Sequence, residues 1–540
     1  MISLEFLSKV FRPKTRQGGL PEEVRQMVRH NQRVWKPCQQ TDGRVVLQDF
    51  SAGPGQLLMM SYVGNLLAAK HRAKLVATSS RWEEAEAKAD GTLEIMESYG
   101  TRDYWYAWGD PFGEEERTRW LEEARSKIAT KEDLLRYELD GLPIGEDIYE
   151  SVLRYHNRAT VEVSTDPVWL DVMEQAFGIY QFWRDRFVEN EIVALLGTQL
   201  VYIRANILAR LALKNDVPVY TMDGHMLMKA DSPRIYGAYF KSSRTLFHKM
   251  SPEEQQNALE ISRERLERRV KGEVGVDMAY STASAFVKRE DGLRVIEPSD
   301  RLKVLICTHD FFDAPHVYGG LPFPDFYEWI AYLGEISERT DYDWYIKTHP
   351  DPSELTENII YELTGKYPKL QLLPKTTSHH ELIEQGIQVC LTCHGTVTLE
   401  YPLFHVPVVQ INRINPTMAY DFTVTCPDLK AYEEQLLNLA GVEVNFDDEE
   451  VYKAYFMRNY FFCVNDLFVE DYAEMITGLG GFGRVSYLQI YQEFVSGFSE
   501  QRHHETLERL KTFLDSGCRF LTRIGPLNEV EEVERSEFGK

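Results

Sequence analysis

Two short blocks in the second half of the chain carry residue types suited to chemistry on a phosphate. The first reads Trp344-Tyr345-Ile346-Lys347-Thr348-His349-Pro350. It is an apolar run with a polar tip, the form of a buried strand, and Pro350 ends strand pairing because it has no N–H. Lys347 and His349 lie two residues apart, so a strand points them to one face. The second block reads Cys390-Leu391-Thr392-Cys393-His394-Gly395-Thr396-Val397-Thr398-Leu399-Glu400. Its start, 388–392, is a second apolar strand that runs into Gly395-Thr396, where the pattern predicts the opening of a helix. Free N–H groups and a hydroxyl at a helix start suit a phosphate. Glu400, four residues beyond Thr396, falls on the same helix face. One basic strand end beside one helix-opening strand end is what an open α/β sheet places around a nucleotide.

The surrounding elements must hold these blocks. In the first half, 44–50 reads as a strand, 51–55 as a tight Gly-rich turn, the next stretch through Leu67 as a helix, and 74–78 as a second strand. This order opens a Rossmann-like unit. The turn is not a Walker A loop, since no Gly-Lys-Ser/Thr follows. Gly53 and Gly55 would let a sugar or phosphate approach the backbone, with Asp49 at the strand end beside them. Residues 80–190 read as mainly helical, with Trp105, Tyr106 and Trp108 as either a small satellite core or a sugar-stacking surface. A strand, a helix and a strand follow, and the last ends in Met222-Asp223-Gly224-His225. Asp223 there is either acid/base equipment or part of a simple Asp-Gly turn.

Ser251-Pro252-Glu253-Glu254 is a strong helix start and begins a connection between two halves. The second half restarts with a buried strand over 302–308 that ends in a group of ionisable residues, among them His309, Asp313 and His316. Their spacing matches no zinc pattern. Alternating helices and strands continue to 411, as in a doubly wound sheet. Beyond Pro427 the pattern is mostly helical.

Composition sets the outer limits. The chain has 540 residues, 7 cysteines and a net charge of −24. That length predicts two large domains. The acidity argues against nucleic acid as a partner, because phosphate backbones need a basic surface. Sparse, irregularly spaced cysteines fit a reducing cytoplasm. The apolar stretch 192–213 is interrupted by Gln199, Arg204 and Arg210, so it reads as a strand and helix and not as a membrane span. Residues 1–16 mix apolar and basic side chains, the composition of either a helix docked on its own domain or one lying on an anionic inner membrane.

Two motif matches fail their context. Cys390 to His394 has the letters of a c-type haem attachment site but lies on an apolar strand. Gly478 to Gly483 has the letters of a dinucleotide fingerprint but follows a helix and reads as its terminating loop.

The Lys347-Thr348-His349-Pro350 block, the Gly395 to Glu400 block and Val406-Pro407-Val408-Val409 resemble the C-terminal domain of bacterial surface-polysaccharide glycosyltransferases with the GT-B fold. Capsule polysaccharide proteins similar to Kdo transferases also share the look of Phe312 to His316 and Phe326 to Trp329. The resemblance spans roughly 302–411. It implies an α/β, GT-B-like fold, with two Rossmann-like domains facing across a cleft and a helical C-terminal extension. The division it implies is an acceptor domain over 1–250 with a helical insertion, a connecting helix and linker over 251–298, a nucleotide-sugar domain over 299–430, and the extension over 431–540.

It further implies transfer of a sugar from a nucleotide-sugar donor, a CMP-sugar foremost, to a polysaccharide or glycolipid acceptor, with no cofactor. A metal-independent transfer is expected with it. His349 and Asp223 would be catalytic, His349 meeting the leaving phosphate and Asp223 acting as base. Lys347, Pro350, Gly395, Thr396, Glu400, His309, Asp313 and His316 would bind the donor, with Glu400 accepting the ribose hydroxyls. Asp49, Gly53 and Gly55 would face the acceptor. A CDP-glycerol-type polyol-phosphate transferase and a catalytically idle GT-B scaffold subunit are the alternatives.

Overall fold

The computed structural model describes residues 19–36, 41–49, 54–80, 88, 91–108, 114–222, 226–277, 283–288, 294–349, 354–478, 487–524 and 530–533. The expectations for residues 1–16 and for Gly53, Asp223 and Pro350 lie outside them.

Two six-stranded sheets form the frame. The first contains β1 (Arg44–Asp49), β2 (Ala73–Ser80), β3 (Thr101–Trp108), β4 (Glu191–Gly197), β5 (Val219–Thr221) and β6 (Met228–Ala230). Their spatial order is β3-β2-β1-β4-β5-β6. All pair in parallel except β5 with β6. The second contains β7 (Lys303–Cys307), β8 (Asp343–Lys347), β9 (Leu370–Leu372), β10 (Val389–Thr392), β11 (Val408–Gln410) and β12 (Val424–Thr425). Its order is β9-β8-β7-β10-β11-β12, parallel throughout. Each sheet thus reverses direction once, between β1 and β4 and between β7 and β10. An open α/β sheet leaves its crevice at such a reversal.

The strands are apolar along their length because helices cover both faces. Every residue of β7 and β8 is buried. Along β8 the side chains alternate between two cores. Trp344 and Ile346 join the cluster of Trp329, while Tyr345 joins that of Tyr401. The resulting architecture is GT-B-like: two Rossmann-like halves facing one another.

The helix Pro252–Val270 joins the halves, and Ser251 with Glu254 closes a capping box at its start. The C-terminal helices Asp448–Phe456, Tyr487–Ser496 and Glu500–Asp515 do not stand apart. Val451, Phe456, Tyr491 and Phe513 lie in the same core as Val46 and Leu195 of the first sheet. The chain therefore crosses back after the second sheet.

Side chains also bridge the halves directly. The Tyr149 hydroxyl donates to Asp325 at 2.5 Å, and Lys131 Nζ lies 2.5 Å from Glu328 Oε1. Among the described residues, no helix is long and apolar enough to cross a membrane.

Two local expectations need correction. The described residues of 80–190 are mainly helical as expected, but they also contain β3, which pairs along β2 as the edge of the first sheet. Its Tyr and Trp residues favour a pleated surface, and Trp105 turns into the core. The helix expected after Gly395 is only Val397–Glu400 before it tightens into the 3-10 turn Tyr401–Phe404. Pro402 has no N–H to bond back to Thr398, so the α-helix stops there.

Candidate functional site

At the reversal of the second sheet, beyond the C-terminal ends of β7, β8 and β10, lies a cavity of about 540 Å³. Three strand ends supply its floor: Thr308 and His309 after β7, Thr348 and His349 after β8, and His394 to Thr396 after β10. Arg269 enters from the linking helix and Arg458 from the C-terminal segment.

Two imidazoles sit side by side on this floor, ring centres 4.5 Å apart. His309 stacks on Phe326 at 4.7 Å. Its Nε2 faces the Thr392 hydroxyl at 3.2 Å and accepts from the His394 N–H at 3.5 Å, which places the ring proton on Nδ1. Burial, reinforced by His349, lowers its pKa to about 4. Asn412 Oδ1 accepts from the Ile414 N–H, so its amide nitrogen donates to His394 Nδ1 at 3.2 Å. His394 then carries its proton on Nε2. Burial first, then His309 and Arg458, holds its pKa well below the usual value. Both rings are neutral at pH 7, and each is a single N–H donor. Such groups hydrogen-bond an anion without a prior proton uptake.

The charged wall is paired unevenly. Glu400 is 2% exposed, and its carboxylate takes the Arg269 Nε at 2.6 Å. The same guanidinium reaches the Thr396 hydroxyl at 3.2 Å and the Val276 carbonyl at 3.0 Å. Thr396 and Glu400 do share a face, and Arg269 occupies it. Lys347, also 2% exposed, donates to the Lys375 carbonyl at 3.2 Å. Burial lowers its pKa. His379 lies nearby with Nδ1 2.6 Å from the Tyr401 hydroxyl.

Asp313 opens into the cavity on the side of the first half, where the Tyr202 hydroxyl donates to its Oδ1 at 3.4 Å. Its side chain is exposed to the cavity, and the protein around it desolvates it in part. That desolvation raises its pKa, with the charges of Asp310 and Glu150 adding to the shift.

Of the residues singled out in the sequence, the cavity brings together Lys347, His349, His309, Asp313, Gly395, Thr396 and Glu400. Gly395 spends its N–H on Thr392 Oγ1 at 3.2 Å, and the helix behind it is one turn long. The expected row of free N–H groups is therefore reduced. His316 is not in the lining. It packs between the halves, with Nδ1 3.1 Å from Glu150 Oε1 and Nε2 3.3 Å from the Phe323 carbonyl.

Asp49 lies at the reversal of the first sheet, held by the Thr198 hydroxyl at 2.7 Å and Arg204 at 3.1 Å. It lines a small cavity there with Thr78, Trp183 and Leu200. Gly55 offers no open approach: a methyl group on it would meet the Tyr472 hydroxyl at 3.2 Å and Asn465 Oδ1 at 3.3 Å. Packing of the C-terminal segment fills that space.

Sequence reasoning missed Arg269, His394 and Arg458. Arg269 sits in a run of alternating charges that looks like any solvated helix, and His394 was set aside with the haem-like motif. Among the described residues, no three metal-ligating side chains converge.

No protein-family model matches the sequence, and no curated protein does. Solved structures align with it at low identity. A β-Kdo 2,4 transferase, KpsC of Thermosulfurimonas dismutans, aligns at 12% identity and a TM-score of 0.32, over 52% of this chain and 86% of that one. A glycosyltransferase from Rickettsia africae aligns at 10% identity and a TM-score of 0.25, over 85% and 100%. A UDP-GlcNAc 2-epimerase from Neisseria meningitidis, bound to UDP-GlcNAc, aligns at 12% identity and a TM-score of 0.22, over 76% and 97%. The function of this chain is argued from the site itself.

Proposed function

We propose that this protein is a glycosyltransferase that binds a nucleotide-sugar in the cavity of the second sheet and transfers the sugar to a polysaccharide or glycolipid acceptor. One observation carries this reading: a nucleotide-sized cavity at a sheet reversal, lined by neutral imidazoles and by both cationic and acidic side chains and facing the other half of the molecule. A CMP-sugar is the proposed donor, by the resemblance of the His-Pro and Gly-Thr blocks.

The transfer needs three things. The departing nucleotide phosphate must be stabilised, the acceptor hydroxyl must lose its proton, and water must be kept out. His349, with the His309 and His394 N–H groups beside it, supplies hydrogen bonds to the phosphate as the bond to the anomeric carbon breaks. Lys347 adds a fixed positive charge. Gly395 and Thr396 form the turn against which the phosphate rests, and Arg269 holds that turn through Glu400. A carboxylate on the acceptor side takes the proton as the hydroxyl oxygen attacks. Asp223 is proposed for that role from its place at a strand end, and Asp313 from its place between the halves with a raised proton affinity.

The division into an acceptor domain, a linking helix, a nucleotide-sugar domain and a C-terminal helical region is part of the same proposal. The first test is a thermal-shift panel of CMP, UDP, CDP and GDP. A ligand at 100 times its Kd stabilises a protein by about 2.7 kcal/mol. A shift with CMP larger than with the others supports the CMP-sugar donor, a dominant UDP shift replaces it, and no shift with any of the four overturns the reading. Product analysis with the matching donor then separates sugar transfer from polyol-phosphate transfer, in which the phosphate stays in the product.

A further inference from the structure

Arg458 lies in the π-helical turn Met457–Phe461, which follows Asp448–Phe456. Wide turns of this kind recur at functional sites because they re-aim side chains. Its neighbours Met457, Tyr460 and Phe461 are buried in the core of the first half. Arg458 itself is half-buried and points away from that core. It lines the 540 Å³ cavity of the second sheet and, with Arg269, Thr396 and Glu400, a smaller void beside it. It is thus rooted in one half and exposed to the site of the other.

Among the described residues, its buried Nη1 has no hydrogen-bond partner. The cavity's carboxylates are engaged elsewhere. Glu400 is taken by Arg269 at 2.6 Å, and Glu273 by Arg268 Nε at 2.8 Å. Asp310 Oδ1 accepts from the Phe312 N–H and the Thr356 hydroxyl. Asp313 faces Tyr202. Among the described residues, no carboxylate pairs with Arg458. A buried guanidinium nitrogen with an unsatisfied donor is unfavourable, and such defects are tolerated where function uses them. Lys347 on the same wall has, among the described residues, a carbonyl as its hydrogen-bond partner. Arg458 and Lys347 are thus cations of this cavity with no carboxylate ion-paired to them among the described residues, on a lining that also holds Asp310 and Asp313. The planar fork of an arginine matches the oxygens of a phosphate or carboxylate.

We propose that Arg458 is an anion-binding residue of this cavity, supplied by the C-terminal segment, and that it takes an oxyanion of the ligand: the nucleotide phosphate or a carboxylate on the transferred sugar. The proposal rests on the nucleotide-sugar reading and deepens it. Because the side chain is anchored in the first core, the bound anion ties that core to the second sheet.

The test is calorimetric titration of wild type, Arg458→Gln and Arg458→Lys with cytidine, CMP, a CMP-linked acidic sugar and inorganic phosphate, with the melting temperature of each unliganded protein as the folding control. Wild type is expected to bind CMP, with Arg458→Gln weakening it at least tenfold, cytidine binding unchanged, and Arg458→Lys restoring part of the loss. If CMP binds the Gln variant normally and only the acidic-sugar donor is weakened tenfold, the anion is the sugar carboxylate. Equal binding of every ligand to wild type and both variants overturns the proposal and leaves the nucleotide-sugar reading intact. If wild type binds no nucleotide, that reading falls. Phosphate binding then decides for Arg458: binding to wild type and not to Arg458→Gln supports it, and anything else overturns it. Should the Gln variant fail to fold, the Lys variant takes its place in each comparison.

Discussion

Arg269 Nε lies 2.6 Å from Glu400 Oε1, and the same guanidinium holds the Thr396 hydroxyl at 3.2 Å. The helix that links the two halves thereby fixes the turn at the centre of the candidate site. The pair is buried, so removing one partner strands the other's charge, which costs about 3–5 kcal/mol. Glu400→Leu and Arg269→Met should each lower stability in urea by that order. The double variant Arg269→Met/Glu400→Leu should recover most of it, since two apolar groups of similar size can replace a buried pair. A sum of the two single losses in the double variant would show that the residues do not act as a pair.

Glu400 also separates two roles. If it only braces the Thr396 turn through Arg269, Glu400→Gln should raise the donor KM and leave kcat close to normal. If its carboxylate meets the ribose hydroxyls, Glu400→Gln should discriminate ribose from deoxyribose nucleotides less well than wild type. Binding of CMP and deoxy-CMP to both proteins distinguishes these outcomes.

His349 is proposed to meet charge that grows on the leaving phosphate. His349→Ala should therefore lower kcat by ~10²-fold or more, as loss of a transition-state donor does, with little change in melting temperature. Full kcat in this variant would refute the assignment.

The proton acceptor is decided by two isosteric changes. Asp223→Asn and Asp313→Asn each keep shape and remove only basicity. One of them should abolish transfer while sparing nucleotide binding. Near-normal turnover in both would move the search to Asp49 and Asp310.

The imidazoles make stability depend on pH. His309 is held near pH 4 by burial and has an ordinary value near 6.5 when unfolded. Between these values the unfolded chain binds more protons, so stability falls as pH drops from 6.5 towards 4, by at most ~1.4 kcal/mol per pH unit for one such group. His394 and His379 are shifted the same way by burial and add to the slope. His309→Gln should flatten it. Denaturation midpoints at pH 5 and pH 7 for both proteins give the comparison, and an unchanged slope would place the effect on other groups.

Deleting residues 1–16 should release the protein from anionic vesicles and leave transfer to a soluble acceptor intact, if that segment contacts the membrane surface. Unchanged vesicle binding would assign the contact elsewhere.

Much of the frame was legible in the amino-acid order. A parallel sheet covered on both faces needs continuous apolar strands, and β7, β8 and β10 are such runs. Their polar tips fall where the chain leaves the sheet, so His309, His349 and Gly395 could be placed near one another before any contact was known. The capping box at Ser251 marked the linking helix for a similarly local reason. Tertiary structure decided what periodicity cannot carry. Arg269 and Glu400 stand 131 residues apart, and nothing in a charged helix marks which arginine will turn inward. Whether His316 meets a ligand or Glu150, whether Gly55 is open or covered by Tyr472, and whether β3 is a strand or a helix all depend on a distant segment packing against them. Local sequence sets the preference of a stretch for its own conformation. Which charges are paired, and which are left facing the cavity, is settled only when the chain crosses back and brings Arg458 to the second sheet.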